Sequence, residues 1–323
     1  MKLAGLTARV TAILVLAICA WQAFGAPLSI GFVAPDEEPR YTNLLQGLRQ
    51  GLQAAGPAAR DAVILEHRIR RGDSAAARGS AESLRAKGAR VAFVVGTELT
   101  RQLRSVTKEL PIVFITPGNP VRPGLAASLA RPGNNLTGVT FEFPELSAKR
   151  LEMLKEIAPA ARRIGVVYDP RDGSPRQGYA AVMDAAPNIG MQLVELDVER
   201  LRAGEGAFKQ AGKLDGLVLV PGGAISTVFE PVFRFAAAQR IVSIVWARSK
   251  ATQEAILSYG ASDINIAQGA ARLVARVLDG HPAGDLPVEQ PTKFELVINM
   301  KTAKALGITI PQSVLVRADR VIE

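Results

Sequence analysis

Short runs of β-branched and apolar residues alternate along the chain with segments whose apolar positions recur every three or four residues. That alternation marks strands buried on both faces and joined by helices packed against them. Four runs stand in the first half, at Ser29–Ala34, Ala62–His67, Arg90–Gly96 and Pro111–Thr116. The second half repeats the series at Arg163–Tyr168, Met191–Asp197, Asp215–Pro221 and Ile241–Trp246. Between them, Leu44, Leu45, Leu48 and Leu52 share one helical face, as do Leu99, Leu103 and Val106, and Leu151, Leu154 and Ile157. A later stripe of Ile264, Ala267, Ala271, Val274 and Leu278 follows Asp263, a candidate N-cap, and stops at Gly280. The pattern predicts an α/β protein of two doubly wound parallel-sheet lobes, and 323 residues suffice for two.

The first 26 residues follow a different rule. Lys2 and Arg9 are the only charges before Asp36, and an apolar block from Thr11 to Phe24 ends in small residues, the layout of a secretory signal peptide cleaved near Gly25 or Ala26. Gly25-Ala26-Pro27 interrupts the block and argues against a retained membrane anchor. Cys19, the single cysteine, follows bulky Ile18 where a lipidation signal needs a small residue. Removal of residues 1–26 leaves a mature chain without thiols and lowers the formal charge from +9 to +7, because Lys2 and Arg9 leave with it. An exported chain without an anchor is expected in the periplasm.

The positive charge does not identify a nucleic-acid binder. Arg68–Arg71 and Arg162–Arg163 flank strands without interleaved aromatics or a reading motif, so nucleic acid is not an expected partner. Enzyme signatures are missing too: no GxGxxG follows the first strand, and no GxxxxGK[ST], HExxH or GxSxG occurs. The two histidines, His67 and His281, make a weak metal site. No cofactor, metal or catalytic residue is expected, and the chain is not read as an enzyme.

Open parallel sheets bind ligands beyond the carboxyl ends of their strands, and two such lobes enclose a cleft. The residues there are candidate ligand contacts. Asp36, Glu37 and Asp169 offer carboxylates for an amine; Gly96, Thr97, Thr116, Gly118, Asn119 and Thr140 offer backbone, hydroxyl and amide groups. Tyr41, Tyr168 and Trp246 offer rings, and Arg248 offers a fork for a carboxylate. Pro221, Gly222 and Asp263 complete the set.

Leu286–Glu323 closely resembles the closing segment of a family of ABC-transporter substrate-binding proteins that includes binders of tryptophan and related aromatic amino acids. Pro111–Thr140, Arg163–Pro170 and Ser258–Asp263 are similar to other parts of that pattern. The resemblance implies a type I periplasmic binding fold whose lobes are joined by three crossover strands, placed near Val139–Phe143, Ser258–Ser262 and Glu289–Thr292. Lobe 1 then takes residues 27–138 and 262–288, and lobe 2 takes 139–261 and 289–323. It also implies a monomer that captures a small-molecule ligand by hinge closure and delivers it to a membrane permease, with an amino acid, an aromatic compound or an organic anion as candidate cargo. A turn that often reads Asp-Pro in the family is Asn119-Pro120 here, which replaces a carboxylate by an amide. The same fold also serves sensory modules, and a two-lobed enzyme acting on a nucleotide or sugar is the third reading.

Overall fold

The computed structural model describes residues 27–38, 40–70, 72–204, 206–222, 224–246 and 254–323. The leader expected at 1–26, with Cys19, and Arg248 lie outside the described residues. The first sheet is wholly parallel, in the order β2-β1-β3-β4-β5, with β1 Ser29–Pro35, β2 Val63–Ile69, β3 Ala89–Val95, β4 Ile112–Thr116 and β5 Leu136–Thr140. The second runs β12-β11-β10-β9-β8-β6-β7, with β6 Arg163–Tyr168, β7 Gln192–Asp197, β8 Gly216–Leu219, β9 Val242–Val245, β10 Leu257–Gly260, β11 Glu295–Asn299 and β12 Arg320–Ile322. Its one antiparallel pairing is β10 with β11.

Each sheet carries helices on both faces, so its central strands place apolar residues on both. In β3, Val91, Phe93 and Val95 enter one apolar cluster while Ala92 and Val94 enter the cluster on the opposite face. In β8, Val218 and Leu217 part in the same way. The eight strands read from the pattern all form. Two strands expected only as crossings, β5 and β10, are full members of their sheets, and β11 and β12 were not anticipated. The helix Asp263–Leu278 is capped by Ser262, whose Oγ accepts the Asn265 N–H, so Asp263 is its first residue and not its cap. Val106, expected on a buried stripe, is exposed.

That helix packs on the helix Arg40–Ala54 through small residues. A Cβ added at Gly47 would sit 2.5 Å from the Ile264 carbonyl oxygen, and one added at Gly51 would sit 2.5 Å from Ala271 Cβ. The seam thus ties a helix that follows β10 to the first sheet.

The chain passes between the sheets at three places. After β5, Glu142 accepts both terminal nitrogens of Arg150, at 2.6 and 2.8 Å, and the Ser147 hydroxyl at 3.1 Å. Arg150 Nε donates to the Tyr259 carbonyl in β10 at 2.8 Å, joining the first passage to the second. The third passage pairs with the first: Glu289 N–H donates to Gly138 O at 2.9 Å and Thr140 N–H to Glu289 O at 3.0 Å. Arg150 has no exposed surface and is the bulkiest fully buried side chain among the described residues.

These contacts set opposite expectations for two glycines. Gly47→Ala is expected to destabilise by roughly 1–3 kcal/mol through overpacking against fixed backbone. Gly79→Ala, at an exposed helical site with nothing within 4 Å of the new carbon, is expected to stabilise by roughly 0.5–1 kcal/mol. Urea melts of both variants check the opposite signs. Arg150→Met strands Glu142 in the interior and is expected to cost about 3–5 kcal/mol; a melt superimposable on wild type would refute the assignment.

Candidate functional site

A cavity of about 640 Å³ opens between the two sheets, with walls from both. On the first-sheet side, Gly96 ends β3 at φ 103°, a conformation that favours glycine, and its N–H donates to Ile115 O at 2.8 Å. The turn sets the start of the helix Thr97–Val106 and brings Thr97 into the wall. Beyond β4, the loop is held from both ends. Gly118 N–H donates to Glu142 O at 2.9 Å, the Thr140 hydroxyl donates to Gly118 O, and Asn119 Oδ1 accepts the Val121 N–H at 2.9 Å. Pro117, Asn119 and Arg122 are thereby presented to the cavity.

The opposite wall is the helix Gly173–Ala185, started by Asp172, whose carboxylate accepts the Ser174 N–H at 3.1 Å. Ser174, Arg176, Gln177 and Asp184 line the cavity from it, and Pro144 and Glu145 from the helix Pro144–Ile157. The walls meet where Gly118 faces Ser174, since a Cβ at Gly118 would overlap the serine hydroxyl. With φ at 67°, position 118 requires glycine twice over. Among the described residues, Arg122, Glu145, Arg176 and Asp184 line the cavity without an ion pair, and no aromatic ring lines it. Its size suits a small molecule, and its mixed charges and amide, hydroxyl and guanidinium donors suit a polar one.

A second group stands at neighbouring strand ends. Arg40, just beyond β1, places Nε 3.2 Å from Asp263 Oδ1, and its guanidinium lies 5.6 Å from the Phe141 ring centre. Asp263 Oδ2 is buried with no hydrogen-bond partner among the described residues. Burial holds the Asp263 carboxyl above its ordinary range; Arg40 opposes that, and the charge of Glu37 adds to it. Trp246, beyond β9, has its ring centre 5.9 Å from that of Phe229 and touches apolar clusters of both sheets. Its position bridges the lobes.

Of the residues expected at the site, Thr97 and Asn119 line the cavity and Gly118 abuts Ser174 of the opposite wall, while Gly96, Thr116 and Thr140 stand behind the lining. The Thr116 hydroxyl is buried without a partner among the described residues. Others are placed elsewhere. Tyr41 is a core residue, its ring edge-on to Phe32 at 5.0 Å and its hydroxyl donating to Glu66 at 3.0 Å. Burial first, then that hydrogen bond, pushes its pKa up to about 12. Tyr168 is covered by Tyr179, stacked at 4.2 Å, so its face is not open to a ligand. Asp36 is paired to Arg68 at 3.2 Å. Asp169 is gripped by Arg171 at 2.9 and 3.0 Å; burial opposes its charge, yet these bonds hold its carboxyl below the ordinary range. Pro221 is buried and Gly222 packs against Pro175.

The sequence pattern did not single out Arg40, Arg122, Glu145, Ser174 or Arg176. A signal for the last two was present in Asp172-Gly173-Ser174, a helix start directly after β6.

The chain is similar in sequence and fold to known proteins. It is 24% identical to a tyrosine-binding protein of Clostridioides difficile over 87% of this chain and 81% of that one. Among solved structures, a conserved domain protein of Vibrio cholerae superposes with a TM-score of 0.81 at 28% identity, covering 92% of this chain and 100% of that one. An ABC domain of Streptococcus pneumoniae, determined in complex with L-Trp, superposes with a TM-score of 0.77 at 23% identity, covering 91% and 100%. These likenesses carry the type I periplasmic binding fold. Residues 29–322 match the sequence pattern of the ABC transporter substrate binding proteins, and the chain belongs to that family.

Proposed function

We propose that this protein is the exported solute-capturing subunit of an ABC importer, taking a small molecule into the cleft between its lobes and presenting the closed form to a membrane permease. The observation that carries the reading is the cavity of about 640 Å³ walled by strand-end loops of one sheet and helix starts of the other. Motion about the three passages opens and closes such a space without disturbing either core. On this reading the lobes are residues 27–138 with 262–288, and 139–261 with 289–323. The leader at 1–26 directs export to the periplasm, and capture requires neither cofactor nor covalent step. The ligands named for two relatives, tyrosine and L-Trp, support an amino acid as the cargo.

Removal of the leader takes Trp21 with it, so Trp246 is the only tryptophan of the mature chain. The purified mature protein is expected to melt higher with at least one of the twenty L-amino acids, by about 2.7 kcal/mol of stabilisation at 100 times the dissociation constant. Titration of that amino acid is expected to change Trp246 emission, because the ring bridges the lobes. Chemical turnover of the bound compound would sink the binding-protein reading; a tight ligand that leaves the emission unchanged would remove Trp246 from the moving interface.

A further inference from the structure

Five ionic side chains are nine-tenths or more buried among the described residues: Glu142, Arg150, Asp169, Asp263 and Glu295. Glu142 and Arg150 satisfy one another and their neighbours, Asp169 is held by Arg171, and Glu295 accepts from Asn265 at 3.2 Å. Asp263 differs. One oxygen takes a single 3.2 Å bond from Arg40 Nε, and the other has no partner. The arginine is equally incomplete: its two terminal nitrogens have no hydrogen bond among the described residues, and its planar head rests near Phe141. An arginine facing a carboxylate ordinarily engages both oxygens with two parallel bonds, as Arg150 does with Glu142. Here a buried acceptor and a set of donors are left side by side, and native structures rarely leave such groups unmatched.

The location bears on what completes them. Arg40 opens the helix that follows β1 of the first sheet, and Asp263 opens the helix that follows β10 of the second. Both therefore stand at carboxyl ends of strands, the edge where open parallel sheets receive ligands. The open oxygen suits a cationic N–H donor, and the open guanidinium nitrogens suit a carboxylate. One ligand head supplies both, the ammonium and carboxylate of a zwitterionic amino acid.

We infer that Arg40 and Asp263 form the head-group subsite, with Asp263 Oδ2 accepting from the ligand ammonium and the terminal nitrogens of Arg40 donating to the ligand carboxylate. The assignment rests on the amino-acid reading above and adds to it the residues that select for both charges. The elevated titration of the buried carboxyl agrees, because a ligand cation supplies the charge that Arg40 alone provides incompletely.

The test uses calorimetric titration of the mature wild type with L-tryptophan and L-tyrosine, with their deaminated acids, and with tryptamine and tyramine, which lack the carboxylate. Wild type is expected to lose at least about tenfold in affinity when either charge is removed from the ligand. Asp263→Asn, of nearly the same shape, is expected to weaken the amino acid about tenfold or more and to leave the deaminated acid nearly unchanged, so that the gap between them closes. Arg40→Gln is expected to close the gap between amino acid and amine instead. Should Asp263→Asn fold poorly, the wild-type comparison of amino acid with deaminated acid still decides: equal affinity overturns the subsite. Tight binding of the amino acid by a well-folded Asp263→Asn overturns the subsite but leaves the amino-acid reading standing. Absence of binding by all twenty L-amino acids overturns that reading and the subsite with it.

Discussion

The architecture turns on a pair of opposite charges taken out of water where the chain passes between its sheets. Arg150 and Glu142 meet in a fork of two short bonds, and the third guanidinium nitrogen donates to the Tyr259 carbonyl of β10. Removing both ions from water costs about as much as their attraction returns, so the pair is weak evidence for stability. Its role on this reading is registry. A buried arginine needs a partner at each nitrogen, and Glu142, Ser147 and the Tyr259 carbonyl supply them. Gly260 adds to the constraint, since a side chain there would strike the Trp246 carbonyl. The first and second passages are thus locked together at one point, and β5 is zipped to the third through Glu289.

The surroundings of the fork inherit its position. Glu142, held by Arg150, accepts the Gly118 N–H through its own carbonyl, and Gly118 abuts Ser174, which lines the cavity. The ion pair, the β4 loop and the second-sheet helix start therefore form one chain of contacts from hinge to cavity. The Gly47 and Gly51 seam does the equivalent on the other side, fixing the helix Asp263–Leu278 against the first sheet and with it the height at which Asp263 faces Arg40. The two arginine–carboxylate pairs, so alike in composition, differ in completeness. One is closed by protein groups and behaves as structure; the other keeps an open side.

How much of this the sequence displayed depends on where each side chain finds its partner. Strands buried on both faces produce continuous apolar runs, and all eight of these were legible. β5 was not, because Leu136-Thr137-Gly138-Val139-Thr140 hides polar groups: the Thr137 hydroxyl donates to Leu286 O at 2.8 Å, and that of Thr140 to Gly118 O. β11 and β12 exist through pairings with β10 and with each other that no local pattern encodes. At the site, strand ends pointed to Thr97, Gly118 and Asn119, since the loops leaving parallel strands all emerge at the same edge of the sheet. Rings defeated the same rule. Whether Tyr168 is open or covered depends on Tyr179 in the next helix, and whether Tyr41 points inward depends on Phe32 and Glu66. Arg150 looks like a solvated helix residue until its partners arrive from two other segments.

The net charge of +9 identifies no partner by itself. Arg68, Arg101, Arg202, Arg234 and Arg317 are each paired with a carboxylate at the surface, and such exposed pairs contribute little. The cavity itself is mixed, with Arg122 and Arg176 set against Glu145 and Asp184. Nor does the cavity supply a stacking surface, since no ring lines it. Aromatic surface gathers instead around Phe141, Phe229 and Trp246, with Phe141 beside the Arg40–Asp263 pair. The Arg40–Asp263 pair and Phe141 stand at strand ends near the passages, while the open polar cavity lies along the helix Gly173–Ala185. On the proposed amino-acid subsite, discrimination among cargoes falls to Arg40 and Asp263, two side chains at those strand ends, rather than to the overall charge of the protein.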